Sequence, residues 1–158
     1  MFMKKRELIE LNTIFNQLKD FGGTKFKYSI IKNLTMLKTP LSLLEEIETS
    51  IKEVLKDFDE DRNSLILELG VHNQNGGVYI DQSDEVAMKN FNEKLTELIE
   101  KHKESIDAYN LKLNEYNEIL NEEVDEKLNF RTVSIDQCPE EGITSDQLNK
   151  LLEFGIIE

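Results

Sequence analysis

The chain has no tryptophan, two prolines and one cysteine among its 158 residues. A single cysteine, Cys138, excludes an internal disulfide and points to a reducing compartment. Its neighbours Gln137, Pro139, Glu140 and Glu141 bring no cation, and nearby acids raise a thiol's pKa, so a thiolate nucleophile is not expected there. No apolar run approaches the roughly 20 residues of a membrane span. The basic start, Met1 to Arg6, meets Glu7 and Glu10 instead of an apolar signal core. The expected setting is the cytoplasm, with no membrane partner.

Catalytic signatures are equally scarce. Gly22-Gly23 and Gly76-Gly77 are isolated pairs with no following lysine-serine to cradle a phosphate. No serine sits in a nucleophile-elbow context. The two histidines, His72 and His102, are thirty residues apart, and no His/Cys/acid cluster has zinc spacing. His72 falls in a turn; His102, in phase with an apolar stripe, reads as a packed or hydrogen-bonded residue. Asp57, Asp59 and Asp61, with Glu68 eleven residues after the first, imitate a calcium loop. That loop needs glycine at its sixth position for the sharp turn, and Arg62 stands there, so a solvated helix face is the better reading. Acid pairs such as Glu45-Glu46 and Glu122-Glu123 arise by abundance and do not indicate acid–base work. No catalytic, cofactor-binding or metal-ligating residue is assigned, and the chain is read as a non-enzyme.

Charge is plentiful and uneven. The formal net charge is −13. Residues 1–38 hold 8 Lys+Arg against 3 Asp+Glu, whereas residues 39–158 hold 11 against 29. Such an acidic surplus repels nucleic-acid phosphates and steers basic proteins inward, though solubility alone also accounts for it. The basic section offers Lys4, Lys5, Arg6, Lys25, Lys27 and Lys32 with Phe26 and Tyr28 interleaved, a pattern compatible with nucleic acid. Neutralisation against the acidic remainder, within one molecule or across a dimer, is preferred because the acidic body opposes direct nucleic-acid binding.

Apolar spacing predicts mainly α structure. Leu8, Leu11, Phe15 and Leu18 place a first helix from about Lys4 to Phe21, stopped by Gly22-Gly23. A second stripe runs Phe26, Ile30, Leu34, Leu37, Leu41, Leu44, Ile47, Ile51, Leu55 and Phe58, and continues to Gly70. Pro40 interrupts it chemically without shifting its phase, which predicts a kink or short break. His72 to Gly77 are turn formers and Val78 to Ile80 strand formers, so a small β-hairpin or extended loop spans 70–82; it is either a recognition loop or, preferably, a connector. Ser83 and Asp84 cap a third helix with the stripe Met88, Phe91, Leu95, Leu98, His102, Ile106, Tyr109, Leu113, Tyr116 and Leu120. Similar lengths and a short connector predict a long antiparallel, coiled-coil-like hairpin, with the first helix against its open end. Leu128 to Ile135 reads as a strand, and Thr144 with Gln147 forms a capping box for a short helix ending at Gly155. The expected organisation is a helical hairpin domain over 1–127 and a strand–helix appendage over 128–158 packed on it.

The order of these blocks resembles a known family. It consists of KFKYSIIKN at Lys25–Asn33, GGVYI at Gly76–Ile80, FNEKLTEL at Phe91–Leu98, and the closing NEEVDEKLNFRTVSI with ITSDQLNKLLEFGII. Together they are similar to an uncharacterised family of small acidic proteins from bacteriophages and prophages of low-GC bacteria. Ile99–Leu120 departs from that pattern. The resemblance implies a phage origin and a host-cell cytoplasmic location, and carries over no site residue. The expected function is a protein-binding accessory factor, an acidic inhibitor of a basic host defence or nucleic-acid-binding protein. The alternative is a structural, assembly or chaperone component acting through its coiled-coil surface. The expected partner is a protein, basic in the first case, and a second copy could equally cover the apolar stripe.

Overall fold

The computed structural model describes residues 3–125 and 127–158. Among them lie α1 (Lys5–Leu18), α2 (Thr24–Glu53), α3 (Lys56–Leu69), β1 (Val71–His72), β2 (Val78–Tyr79), α4 (Glu85–Lys101), α5 (Lys103–Asn121) and α6 (Ser145–Glu153). The protein is mainly helical, with one small antiparallel sheet, as the apolar spacing predicts. By its contacts the chain divides into two units, residues 1–46 with 117–158, and residues 47–116. Helices α2 and α5 carry the chain from one unit to the other.

The first unit holds most of the core. Leu8, Leu11, Phe15 and Leu18 of α1 are buried, together with Phe26, Ile30, Leu37, Leu41 and Leu44 of α2. The C-terminal segment adds Val133, Leu151, Ile156 and Ile157. Each such side chain, fully buried, contributes about 1.5–3 kcal/mol. Gly22, at φ +73°, ends the turn after α1 in a conformation that other residues resist. The expected strand over Leu128–Ile135 does not form. The segment is extended, but its pairing stops at an isolated parallel bridge, Val133 with Ile157, and a bond from Ile135 N–H to the Glu158 carbonyl, and the residues before Val133 do not join it. One of them, Arg131, gives its backbone to a side chain. The Asn33 amide donates to the Arg131 carbonyl at 3.0 Å, and Asn33 Oδ1 accepts from the Arg131 N–H at 2.8 Å. Asn33 is wholly buried and stands in the stripe where Leu34 was expected; Leu34 is only half-buried. The capping box of α6 forms as expected, with Gln147 N–H donating to Thr144 Oγ1 at 3.2 Å and Thr144 N–H to Gln147 Oε1 at 2.9 Å.

α2 runs through Pro40 as one helix, without the short break that was one of the two expected outcomes. The missing N–H and the ring clash cost about 3 kcal/mol, which burial of Leu37, Leu41 and Leu44 on either side offsets. The interruption falls instead at Val54-Leu55, where bonds from Val54 N–H to Ile51 and from Leu55 N–H to Lys52 tighten the turn. Nothing in the local sequence explains that position. The expected third helix is likewise two, α4 and α5, separated at His102.

The second unit is an antiparallel helical hairpin. Lys94 meets Glu68 at 2.7 Å and Lys101 meets Asp61 at 2.6 Å, so α3 and α4 run in opposite directions. At the tip, β1 pairs antiparallel with β2, Val71 opposite Tyr79 and His72 opposite Val78. Asn73 Oδ1 accepts from the N–H groups of Asn75 and Gly77 and shapes the turn. A Cβ on Gly70 would meet the Val78 side chain and the Ile66 carbonyl, so the strand can follow α3 closely only from glycine. The seam is thin: Ile51, Leu65 and Tyr116 are buried, and α4 buries no residue fully.

Two substitutions test these assignments. Asn33→Ala leaves the Arg131 amide and carbonyl without partners and should lower unfolding free energy by about 2 kcal/mol, with loss of exchange protection at the Arg131 amide. Pro40→Ala returns an N–H to the Met36 carbonyl and should raise it by about 1–3 kcal/mol in a denaturant titration.

Candidate functional site

Asp61 joins separate elements of the hairpin unit through two polar contacts. The spacing of Asp57, Asp59 and Asp61 that imitates a calcium loop lies on α3, where helical geometry splits the three. Asp59 pairs with Arg62 at 3.2 Å, whereas Asp61 turns to the facing helices. The Lys101 ammonium donates to Asp61 Oδ2 at 2.6 Å, and His102 Nε2 lies 2.8 Å from the same oxygen. The His102 ring also stands edge-on to Phe58 at 5.8 Å between centroids. The hydrogen bond from Lys101, then that to His102, holds the Asp61 carboxyl below its ordinary value of 3.8. Asp61 therefore ties α3 to the junction of α4 and α5. Among the described residues no group of three or more His, Cys, Asp or Glu converges on a metal-sized point. His72 lies exposed on β1.

Beside this node a solvent-open groove of about 380 Å³ runs between α3 and α4, lined by Ser64, Leu65, Glu68, Lys94, Glu97 and Leu98 among others. Lys94 pairs with Glu68 and Lys101 with Asp61 across the groove, while Glu97 on its lining makes no ion pair among the described residues. Cys138 is half-buried, and burial, then Asp136, pushes its thiol up, away from nucleophilic reactivity.

The informative features are two charged helical faces, one in each unit. In the hairpin unit, Glu97 and Glu100 on α4 and Glu104, Asp107 and Leu111 on α5 follow three- and four-residue steps. All five are exposed, Leu111 to 62%. The four acids make no ion pair among the described residues.

In the first unit, α2 presents the opposite sign. No Asp or Glu occurs from Phe21 to Leu44, and Lys25, Lys27, Lys32 and Lys38 fall in that stretch. Phe26, expected to interleave with them, is buried; Tyr28 and Ile31 are exposed, at 48% and 52%. The Arg131 guanidinium lies over the Tyr28 ring at 5.0 Å and the Lys32 ammonium at 5.8 Å. Arg131 reaches this place because Asn33 holds its backbone, a contact that sequence reading missed. The internal neutralisation expected of the N-terminal cations occurs at Lys5, which meets Glu122 at 2.8 Å and Asp125 at 3.5 Å. Among the described residues it does not occur at Lys25, Lys27, Lys32 or Lys38.

Comparison of the chain with family models, with curated proteins and with solved structures returns no match.

The Asp61 node has a pH signature. A carboxyl lowered by folding adds stability above its unfolded value, and that stability is lost as pH falls through the folded value. Asp61→Asn should lower the unfolding midpoint near neutral pH, and the difference from the unsubstituted protein should close below pH 3.8, as thermal melts across acidic buffers will record.

Proposed function

We propose that this chain is a non-enzymatic binding protein that engages the basic surface of another protein through its acidic helical hairpin. The observation carrying this reading is the composition of residues 47–116, 16 Asp+Glu against 8 Lys+Arg, with Glu97, Glu100, Glu104 and Asp107 exposed at three- and four-residue steps and unpaired among the described residues. Carboxylates spaced along a helix can occupy a basic groove that otherwise receives phosphates, which makes such a protein an inhibitor of a nucleic-acid-binding factor. The phage-family resemblance of the sequence blocks fits a host factor as the target and the host cytoplasm as the place.

A second reading rests on the hairpin seam. Phe91, Leu95 and Leu98 of α4 are only half-buried, so the seam retains apolar surface for another helix. A role in virion assembly, or as a helical chaperone for it, uses that surface rather than the charge.

The test is capture from infected and uninfected host lysate on the immobilised full chain, eluted by rising salt, followed by binding of the purified partner. The inhibitor reading expects a basic nucleic-acid-binding protein released at moderate salt, because screening weakens such contacts. It also expects at least tenfold weaker binding by the triple variant Glu97→Lys, Glu100→Lys, Glu104→Lys. Virion proteins held through high salt favour assembly. A partner indifferent to both salt and the triple variant overturns the charge-based reading.

A further inference from the structure

We infer that the basic face of α2 is a docking surface for the acidic stripe of α4 and α5 on a second copy of this chain. The argument begins with an imbalance. A chain of net charge −13 carries no acid from Phe21 to Leu44 and leaves the four lysines of that stretch without ion pairs among the described residues. A solubility surface in this protein is acidic, so a face of the opposite sign serves contact rather than solvation.

The face is built, not merely basic. Arg131 comes from a segment distant along the chain, its backbone fixed at both ends by Asn33 and its guanidinium laid over Tyr28. That stack leaves the guanidinium edge free, and no carboxylate claims it among the described residues. A planar fork held in this way binds a carboxylate at two points with little further ordering.

The complement is present in the same chain. Lys25 and Lys32 stand seven residues apart on α2, with Tyr28 between them. Glu104 and Leu111 stand seven apart on α5, with Asp107 between them. Seven residues are two helical turns, about 10.5 Å, and within that span α2 offers two cations about an aromatic ring while α5 offers Glu104 and Asp107 followed by an apolar side chain. Each carries charge and exposed apolar surface, Tyr28 and Ile31 on one side, Leu111 on the other. Those apolar side chains also favour a protein helix over a polynucleotide, which would leave Ile31, Met36 and Leu43 unused and meet repulsion from the rest of the molecule. The contact joins unlike surfaces, so it either closes reciprocally between two copies or passes to a third. It does not depend on any foreign partner, and it would compete with one for the acidic stripe.

The experiment is equilibrium sedimentation of the full chain alone. The expected result is a mass above that of the monomer at about 20 mM salt and the monomer at about 500 mM. The variant Lys25→Glu, Lys32→Glu, Lys38→Glu should be monomeric at low salt with an unchanged circular-dichroism spectrum. Mixing it with Glu97→Lys, Glu100→Lys, Glu104→Lys should restore a mixed species that neither forms alone. Arg131→Gln, which leaves α2 untouched, should weaken association about tenfold, within the range of charged hydrogen bonds. A monomer at low salt, or association indifferent to these changes, overturns the inference. So does a monomer that retards a single-stranded oligonucleotide through the same lysines, since the face then serves a polyanion.

Discussion

A single buried amide organises the first unit. Asn33 lies in the middle of an apolar stripe, and a buried amide without partners is costly. It finds them on the backbone of Arg131, where one donor and one acceptor face it together. The consequence spreads in both directions along the tail. Phe130, one residue before, meets Phe15 edge-on at 6.1 Å, and Val133, two residues after, enters the core and bridges to Ile157. Between them the Arg131 side chain lies over Tyr28 of α2. A leucine at position 33 would fill volume but could not select a register for the tail. The polar residue therefore supplies specificity where apolar packing is indifferent to sliding.

The two units divide the work differently. The first concentrates burial, drawing on α1, α2 and both residues of the terminal Ile156-Ile157 pair. The second has little core and is held by a sparse seam and cross-helix contacts such as Asp61 with Lys101 and Glu68 with Lys94. Exposed ion pairs of this kind contribute little individually. A hairpin so constituted keeps most of its carboxylates in water, which is a condition for recognition by charge.

Periodicity made the helices legible because burial repeats every three or four residues, and Leu8, Leu11, Phe15 and Leu18 obey that rule without exception. Local turn chemistry was legible for the same kind of reason: Asn73 and Gly76-Gly77 shape the tip, and Thr144 with Gln147 caps α6. Three features were not readable. Pro40 carries a strong local penalty that tertiary burial overrides. The interruptions at Val54-Leu55 and His102 have no proline or glycine to announce them. The Leu128–Ile135 segment has strand-forming residues, but Asn33 takes the backbone groups that a ladder needs. Of the surfaces, the acid-free stretch of α2 was visible as a charge asymmetry. The addition of Arg131 to it was hidden by a separation of 98 residues. An asparagine in phase between Ile30 and Leu37 was the available signal, since a polar residue in a buried stripe implies a partner elsewhere.

The arrangement of these contacts along the chain bears on the order of folding. The hairpin unit is one continuous stretch, and its partners such as Glu68 and Lys94 are close in sequence. The first unit needs both ends of the chain, as the bond from Lys5 to Glu122 spans 117 residues. Local contacts close quickly and distant ones slowly, and a chain leaving the ribosome exposes its N-terminal part first. During synthesis the acidic hairpin can therefore assemble while α1 and the front of α2 still wait for Arg131, Val133 and Ile156. In that interval their buried faces are uncovered, and the lysines beside them set charge next to apolar surface, an arrangement that disfavours aggregation.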